Sequence, residues 1–138
     1  MITPVDPRHA AAVEAICARV RGVIAVYHFG SSAAGLDGPE SDIDLAVLAG
    51  VALPPMARFD LQERLASIYR RAVDLVDLRA ASPVMSMQVL ATGQLLLDAS
   101  PDTRGLFEDR MFGAYARLNE ERRGILDRIA AEGTVYGR

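Results

Sequence analysis

Asp42-Ile43-Asp44 sets two carboxylates two residues apart at the head of an apolar run reaching Leu48. Ten residues separate it from Gly30-Ser31, which ends an earlier apolar run, Val23 to Phe29. Strand side chains alternate between faces, so Asp42 and Asp44 project from one side about 7 Å apart along the backbone, while Ile43 and Leu45 face the core. Two carboxylates aimed at one point repel unless a cation lies between them. Hard divalent ions such as magnesium suit that position, because they take carboxylate oxygens and usually coordinate a substrate phosphate as well. Gly30-Ser31 leads into Ser32-Ala33-Ala34-Gly35, where small residues let the backbone approach a ligand and a short helix points its N–H groups at an anion. Gly30, Ser31, Ser32 and Gly35 are therefore the candidate phosphate cradle. The plainer alternative for the acids is a pair of surface charges at a strand edge.

The elements that must position these residues follow from the pattern around them. Asp6-Pro7 reads as an N-cap followed by proline at the first helical position, and Ala12, Ile16 and Val20, with Val13 and Cys17 beside them, form one apolar stripe. A first helix is expected over about 7–21, ending at Gly22. Val23 to Phe29 is the first strand, with Ile24, Val26 and His28 on one face and Val23, Ala25, Tyr27 and Phe29 on the other. His28, two residues before the Gly-Ser turn, is read as a half-exposed strand residue and not a catalytic base, since carboxylates already serve that task. Gly50 and Pro54-Pro55 mark a loop over 49–56. Leu61, Leu65 and Ile68 then predict a helix over 57–70, with Arg58, Glu63 and Arg64 facing solvent. Val73 to Leu78 is a short β-type run carrying Asp74 and Asp77, which are three apart and so face opposite sides. At most one of them can join Asp42 and Asp44.

Ser82-Pro83 repeats the cap-then-proline signal and starts a helix closed by Gly93, and Gln94 to Asp98 reads as a further strand. From Asp102 to Glu132 an apolar stripe (Leu106, Met111, Tyr115, Leu118, Ile125, Ile129) predicts a C-terminal helical segment. Gly105, Gly113 and Gly124 weaken a single rod, which would overreach so small a sheet and pack partly on a partner or a second copy. A pair of helices covering the sheet is the alternative. Gly133 to Arg138 is expected to fray, leaving Tyr136 an incidental surface tyrosine.

Gly30-Ser31, ten residues, then Asp42-Ile43-Asp44 resembles the GS-x10-D-x-D signature of the nucleotidyltransferase superfamily that includes DNA polymerase beta. The compact form, GSSAAG followed by SDIDLAVL, is similar to the minimal nucleotidyltransferases, the antitoxin half of HEPN/MNT toxin–antitoxin pairs. VDLVDLRAASPV and QVLATGQLLLD resemble the second half of those proteins, extending the likeness to about three quarters of the chain. The resemblance implies an α/β (α+β) fold, a small mixed sheet flanked by helices, with residues 1–138 forming one minimal nucleotidyltransferase domain. It selects Asp74 as the third carboxylate beside Asp42 and Asp44, leaving Asp77 as an exposed strand-end acid or a cap. It also implies two magnesium ions on Asp42, Asp44 and Asp74, with manganese as an alternative, and ATP as substrate. AMP would pass to tyrosine hydroxyls of a cognate HEPN ribonuclease toxin, with pyrophosphate released and the pair assembled as an oligomer. One departure stands out: many relatives read G-S-x-A-R-G, and here the arginine position is Ala34. Nucleotide affinity is then either weaker or supplied by another arginine such as Arg70, Arg71 or Arg79. Two other readings remain: an antitoxin that acts by binding alone, and a transferase for a small-molecule hydroxyl.

Composition narrows the remainder. The chain has 138 residues, 51% of them hydrophobic, ample for one core, and no run long enough to span a bilayer. The first twenty residues carry acids, prolines and arginines in place of a signal peptide, so a cytoplasmic protein is expected. Cys17 is the single cysteine, which excludes an internal disulfide and reads as a buried thiol on the first helix. With a net charge of −3 and fifteen basic residues, all arginine, direct nucleic-acid binding is not expected.

Overall fold

A computed structural model describes residues 6–33, 35 and 42–136. The chain runs α1 (Pro7–Arg19), β1 (Val23–Phe29), α2 (Gly30–Ala33), β2 (Ile43–Ala49), α3 (Pro55–Tyr69), β3 (Val73–Asp77), α4 (Pro83–Thr92), β4 (Gln94–Asp98) and α5 (Pro101–Tyr136). The four strands form one sheet in the order β3-β2-β1-β4. β1 is antiparallel to both β2 and β4, while β2 and β3 are parallel. This is the small mixed sheet flanked by helices that the family resemblance implies.

Local chemistry accounts for the boundaries. The Asp6 carboxylate accepts from the Arg8 N–H at 2.8 Å and Ser82 Oγ from the Met85 N–H at 3.1 Å, so both cap-then-proline pairs start helices as expected. α3 begins two residues sooner than its apolar spacing suggests, because Pro55 itself occupies the first turn, and it stops where Arg70 turns left-handed at φ 55°.

The sheet is covered on both sides. α1 and α3 close over Val26, Ile43, Leu45, Val47, Val73 and Leu75. α4 and the first turns of α5 close over Ile24, Ala25, Tyr27, Phe29, Ala46, Leu48 and Leu78. The alternation expected in β1 fails at its start. A bulge between Val23 and Ala25 shifts the register, so Ile24 joins Ala25 on the α4/α5 side and Val23 packs against the α1/α3 side.

Three other expectations are corrected. Cys17 is exposed, because α1 buries a narrow stripe centred on Ala12 and Ile16, and position 17 lies a quarter turn away. His28 is buried at 7% exposure, under His9 of α1. Arg58 does not face solvent: its guanidinium donates to the Leu75 carbonyl at 3.1 Å and Gln62 Oε1 accepts from the Leu75 N–H at 2.9 Å. These two side chains of α3 satisfy backbone groups of β3, the outer parallel strand.

α5 is one helix of 36 residues, about 54 Å at 1.5 Å per residue, and Gly105, Gly113 and Gly124 do not break it. It reaches Tyr136, so the fraying expected from Gly133 does not set in there; the side chain of Tyr136 and residues 137–138 lie outside the described residues. Its near end is fixed to the sheet by Phe107 and by Tyr27, whose hydroxyl donates to Glu108 at 2.9 Å. Arg104 bonds both Asp98 and Glu108 at 2.9 and 3.0 Å. Residues 120–132 are all exposed, including Ile125, Leu126 and Ile129. Among the described residues no helix is long and apolar enough to cross a membrane.

Burial separates the two ends of the fold energetically. Leu45→Ala, at a fully buried position between β1 and β3, is expected to cost about 2–5 kcal/mol. Ile125→Glu with Ile129→Glu is expected to change unfolding by less than about 0.5 kcal/mol each, read by urea titration of the isolated chain.

Candidate active site

β2 and β3 start at the same end of the sheet, and β1 finishes there. In the parallel ladder Asp44 lies directly opposite Asp74, and in the antiparallel ladder Phe29 lies opposite Asp44. Neighbouring strands are about 4.8 Å apart, so the two carboxylates spring from adjacent positions on one face. Asp42 stands two residues before Asp44, at the mouth of β2, and is exposed. Ile43 and Leu45 turn into the α1/α3 core as expected. Asp77 goes elsewhere. It is buried, not exposed, and caps no helix: its carboxylate accepts from the Leu53 N–H at 2.7 Å and the Arg79 N–H at 3.0 Å, anchoring the β2–α3 loop.

Gly30 closes the other side of Asp44. It sits at φ +78°, and a Cβ built on it would land on the Asp44 carboxylate. Only glycine allows both the left-handed turn and that approach. α2 starts at Gly30, with Ser31 exposed on it. Ser32 is half-buried, its Oγ 2.7 Å from His28 Nε2. Gly35, at φ +73°, ends the described part of the turn, its N–H reaching the Ser32 carbonyl at 3.4 Å. The structure therefore brings Gly30, Asp44 and Asp74 to one cleft, with Asp42 and Ser31 at its exposed margin and the Ser32 hydroxyl bonded to the neighbouring strand. Ala34 lies outside the described residues.

The cleft, of about 340 Å³, is lined by Phe29, Gly30, Asp44, Asp74 and three residues of α4: Met85, Gln88 and Thr92. The α4 wall was not foreseen, since a helix fifty residues beyond the Gly-Ser turn carries no mark of its place. The only cue is that Met85, Gln88 and Thr92 fall three and four apart, on one helical face. A cavity of similar size, about 350 Å³, opens beyond the other end of β2 between Val20, Leu53, Pro54 and Leu61; it lacks paired acids. Of the arginines named as substitutes, Arg79 is at that far end, donating to the Ala49 carbonyl at 2.7 Å and stacking on Phe107. Arg70 and Arg71 stand just before β3, on the same end of the sheet as Asp74.

Electrostatics fits a cation. Partial burial pushes the Asp44 carboxyl above the ordinary aspartate range, and the neighbouring Asp74 and Asp42 charges push it further. Among the described residues no group of three or more His, Cys, Asp or Glu side chains is placed to hold a metal ion by itself. Magnesium does not need one, because it is commonly held by one or two carboxylates with phosphate oxygens and water completing its shell. A hard-oxygen donor set with mutual repulsion to relieve is the chemistry that such an ion neutralises.

Two measurements test this geometry. Gly30→Ala forces a side chain into left-handed backbone and onto Asp44, with an expected loss of at least about 1–2 kcal/mol in unfolding free energy. A raised folded-state pKa at Asp44 means that the metal-free native chain holds its proton more tightly than the unfolded chain. Its stability therefore falls as pH rises from the ordinary aspartate value through the raised one. Asp44→Asn should flatten that part of the stability–pH curve and raise the melting temperature of the metal-free protein at neutral pH, while weakening magnesium binding.

Comparison with known proteins agrees with the geometry. Residues 12–102 match the family model described as polymerase beta, nucleotidyltransferase. The chain is 42% identical over 106 residues to the protein adenylyltransferase MntA of Shewanella oneidensis, covering 77% of this chain and 76% of that protein. Its fold is similar to a chain in the crystal structure of a toxin–antitoxin with AMP-PNP, at TM-score 0.80 and 35% identity, covering 88% of this chain and 98% of that one. It is similar too to a chain from the tri-AMPylated Shewanella oneidensis HEPN toxin in complex with MNT antitoxin. There the TM-score is 0.76 at 32% identity, over 90% and 97% of the two chains. With the Gly-Ser turn set against paired acids on a mixed sheet, and a match over most of its length, the chain belongs to the polymerase beta nucleotidyltransferase family.

Proposed function

We propose that this chain is an antitoxin that works as a magnesium-dependent protein adenylyltransferase, moving AMP from ATP to tyrosine hydroxyls of a cognate HEPN ribonuclease toxin. The observation that carries this reading is the parallel register of Asp44 on Asp74 with Gly30 packed against Asp44. It supports a site that holds a triphosphate and an acceptor hydroxyl side by side. The similarity to a protein adenylyltransferase and to chains of toxin–antitoxin structures supports the acceptor and the partner.

The roles follow from position. The turn at Gly30 and Ser31, at the start of α2, would receive the terminal phosphates on the backbone N–H groups that follow Gly30 and on the exposed Ser31 hydroxyl. Asp42 and Asp44 would hold one magnesium ion, and Asp74 with Asp44 a second; manganese has the same donor preference. Bound there, the ions would neutralise the triphosphate and the charge developing on the leaving oxygen. Asp74, exposed at the cleft edge, would accept the phenolic proton as the tyrosine oxygen attacks the α-phosphorus. The bond from that phosphorus to the bridging oxygen breaks, and pyrophosphate departs with the electron pair. The α4 residues Met85 and Gln88 form the wall against which an acceptor ring would lie. The chain's work is positioning and charge neutralisation, so no covalent enzyme intermediate is required. Such a reaction on a cytosolic ribonuclease would place the protein in the cytoplasm.

Neutralisation by binding alone is the second reading, favoured by Ala34 at the motif's arginine position and by the exposed Ile125, Leu126 and Ile129 on α5. Intact-mass measurement separates the two. Mixed with its toxin, ATP and magnesium, the chain should add one or more adenylyl groups to the toxin. Asp42→Asn or Asp74→Asn should slow this at least about 100-fold, and EDTA should stop it. Neutralised toxin of unchanged mass would instead establish binding alone.

A further inference from the structure

α2 is the element on which the phosphate cradle depends, and it has only four residues. A helix of one turn has no stability of its own, because nucleation costs more than a single turn of hydrogen bonds returns. Its geometry must be imposed by its neighbours, and three side chains do so. Gln94 Nε2 donates to the Ala33 carbonyl at 3.1 Å, and Thr92 Oγ1 receives the Gly30 N–H at a long 3.5 Å. The third contact is the shortest: His28 Nε2 and Ser32 Oγ are 2.7 Å apart.

We propose that His28 is a positioning residue for the nucleotide turn, acting through Ser32 to fix α2 in the orientation that receives the triphosphate; this rests on the function proposed above. His28 lies in β1 opposite Leu45, on the α1/α3 side of the sheet, whereas Asp44 and Asp74 face the α4 side. The Ser32 hydroxyl is thus held behind the turn, while Gly30 lines the cleft in front. The imidazole cannot drift. The His9 ring sits 4.7 Å from it, tilted by 51°, and His9 Nδ1 is 2.7 Å from the hydroxyl of Tyr69, itself 2% exposed. A line of contacts therefore runs from Tyr69 in α3 through His9 in α1 and His28 in β1 to Ser32 in α2. Burial also holds His9 below the ordinary histidine range. A neutral imidazole makes the bond to a hydroxyl with either tautomer, as donor or as acceptor, so the contact persists whichever ring nitrogen holds the proton.

The test measures affinity for AMP-PNP with magnesium, ATP KM and kcat for toxin adenylylation, and melting temperature. The chains compared are wild type, His28→Leu, His28→Gln, Ser32→Ala and the double variant His28→Leu/Ser32→Ala. Losing the bond should weaken AMP-PNP binding and raise ATP KM about tenfold in His28→Leu, the scale of one buried hydrogen bond, with kcat at saturating ATP within about threefold of wild type. His28→Gln, whose amide reaches the place of Nε2, should restore most of the affinity. Ser32→Ala, on the surface turn, should reproduce the loss, and the double variant should be no worse than the poorer single one. In the wild type the 15N resonances of the His28 ring should move when AMP-PNP and magnesium are added. Unchanged affinity in Ser32→Ala, multiplied losses in the double variant, or a motionless His28 resonance would each overturn the proposal. A wild type that binds AMP-PNP but transfers nothing removes the transfer reading and leaves this comparison intact. A wild type that does not bind AMP-PNP overturns both.

Discussion

Asp44 and Asp74 are like charges on adjacent strands, and the packing of the fold keeps them together. Left to themselves, two carboxylates so placed would part. The strands beneath them cannot, because β2 is covered on both faces: Ile43, Leu45 and Val47 lie under α1 and α3, and Ala46 and Leu48 under α4 and α5. A slip of one residue would drive Asp44 into the α1/α3 core and lift Leu45 into the cleft, exchanging every buried side chain for its opposite. Hydrophobic register thus supplies the force that holds an electrostatically unfavourable pair in place. The same register brings Phe29 opposite Asp44 and delivers Gly30 to the carboxylate.

That arrangement costs stability in the free chain, and under the proposed function a cation and a phosphate would relieve it. The raised Asp44 pKa expresses the cost, since burial and two neighbouring acids disfavour its charge. Sites with perturbed carboxyls in a cleft are a recurring feature of catalysis, because the strain is relieved by the ligand the site is built to hold. Two other groups of charges are satisfied by partners. Asp98, Arg104 and Glu108 bond one another, with the Tyr27 hydroxyl joining Glu108, and Asp77 is filled by two backbone N–H groups.

α4 and α5 divide the remaining work. α4 serves the core through Val89 and the cleft through Met85, Gln88 and Thr92, so one helix couples packing to the shape of the site. α5 serves the core only at its near end, where Phe107 is buried, and then continues past the sheet with its apolar residues uncovered. This settles the choice between a pair of covering helices and a single long one in favour of the latter. Each of its four glycines, Gly105, Gly113, Gly124 and Gly133, costs roughly 1 kcal/mol, which a helix of this length tolerates.

Short-range chemistry was legible in the residues alone. Alternation set the faces of Ile43, Asp44 and Leu45, cap-and-proline pairs set the starts of α1 and α4, and the parity of Asp74 and Asp77 limited the site to one of them. The Gly30-Ser31 to Asp42-Ile43-Asp44 spacing carried the family. What depends on contacts between distant segments was decided only by the tertiary structure. The bulge in β1 reversed Ile24, and the placement of α1 buried His28 beneath His9 while leaving Cys17 outside. The packing of α4 made Met85, Gln88 and Thr92 a wall of the cleft, and the fold carried Arg79 to the far end of the sheet. The physical reason is one of range: alternation, caps and turns are written within a few neighbouring residues, whereas which surface a side chain meets is set by elements brought together from far along the chain.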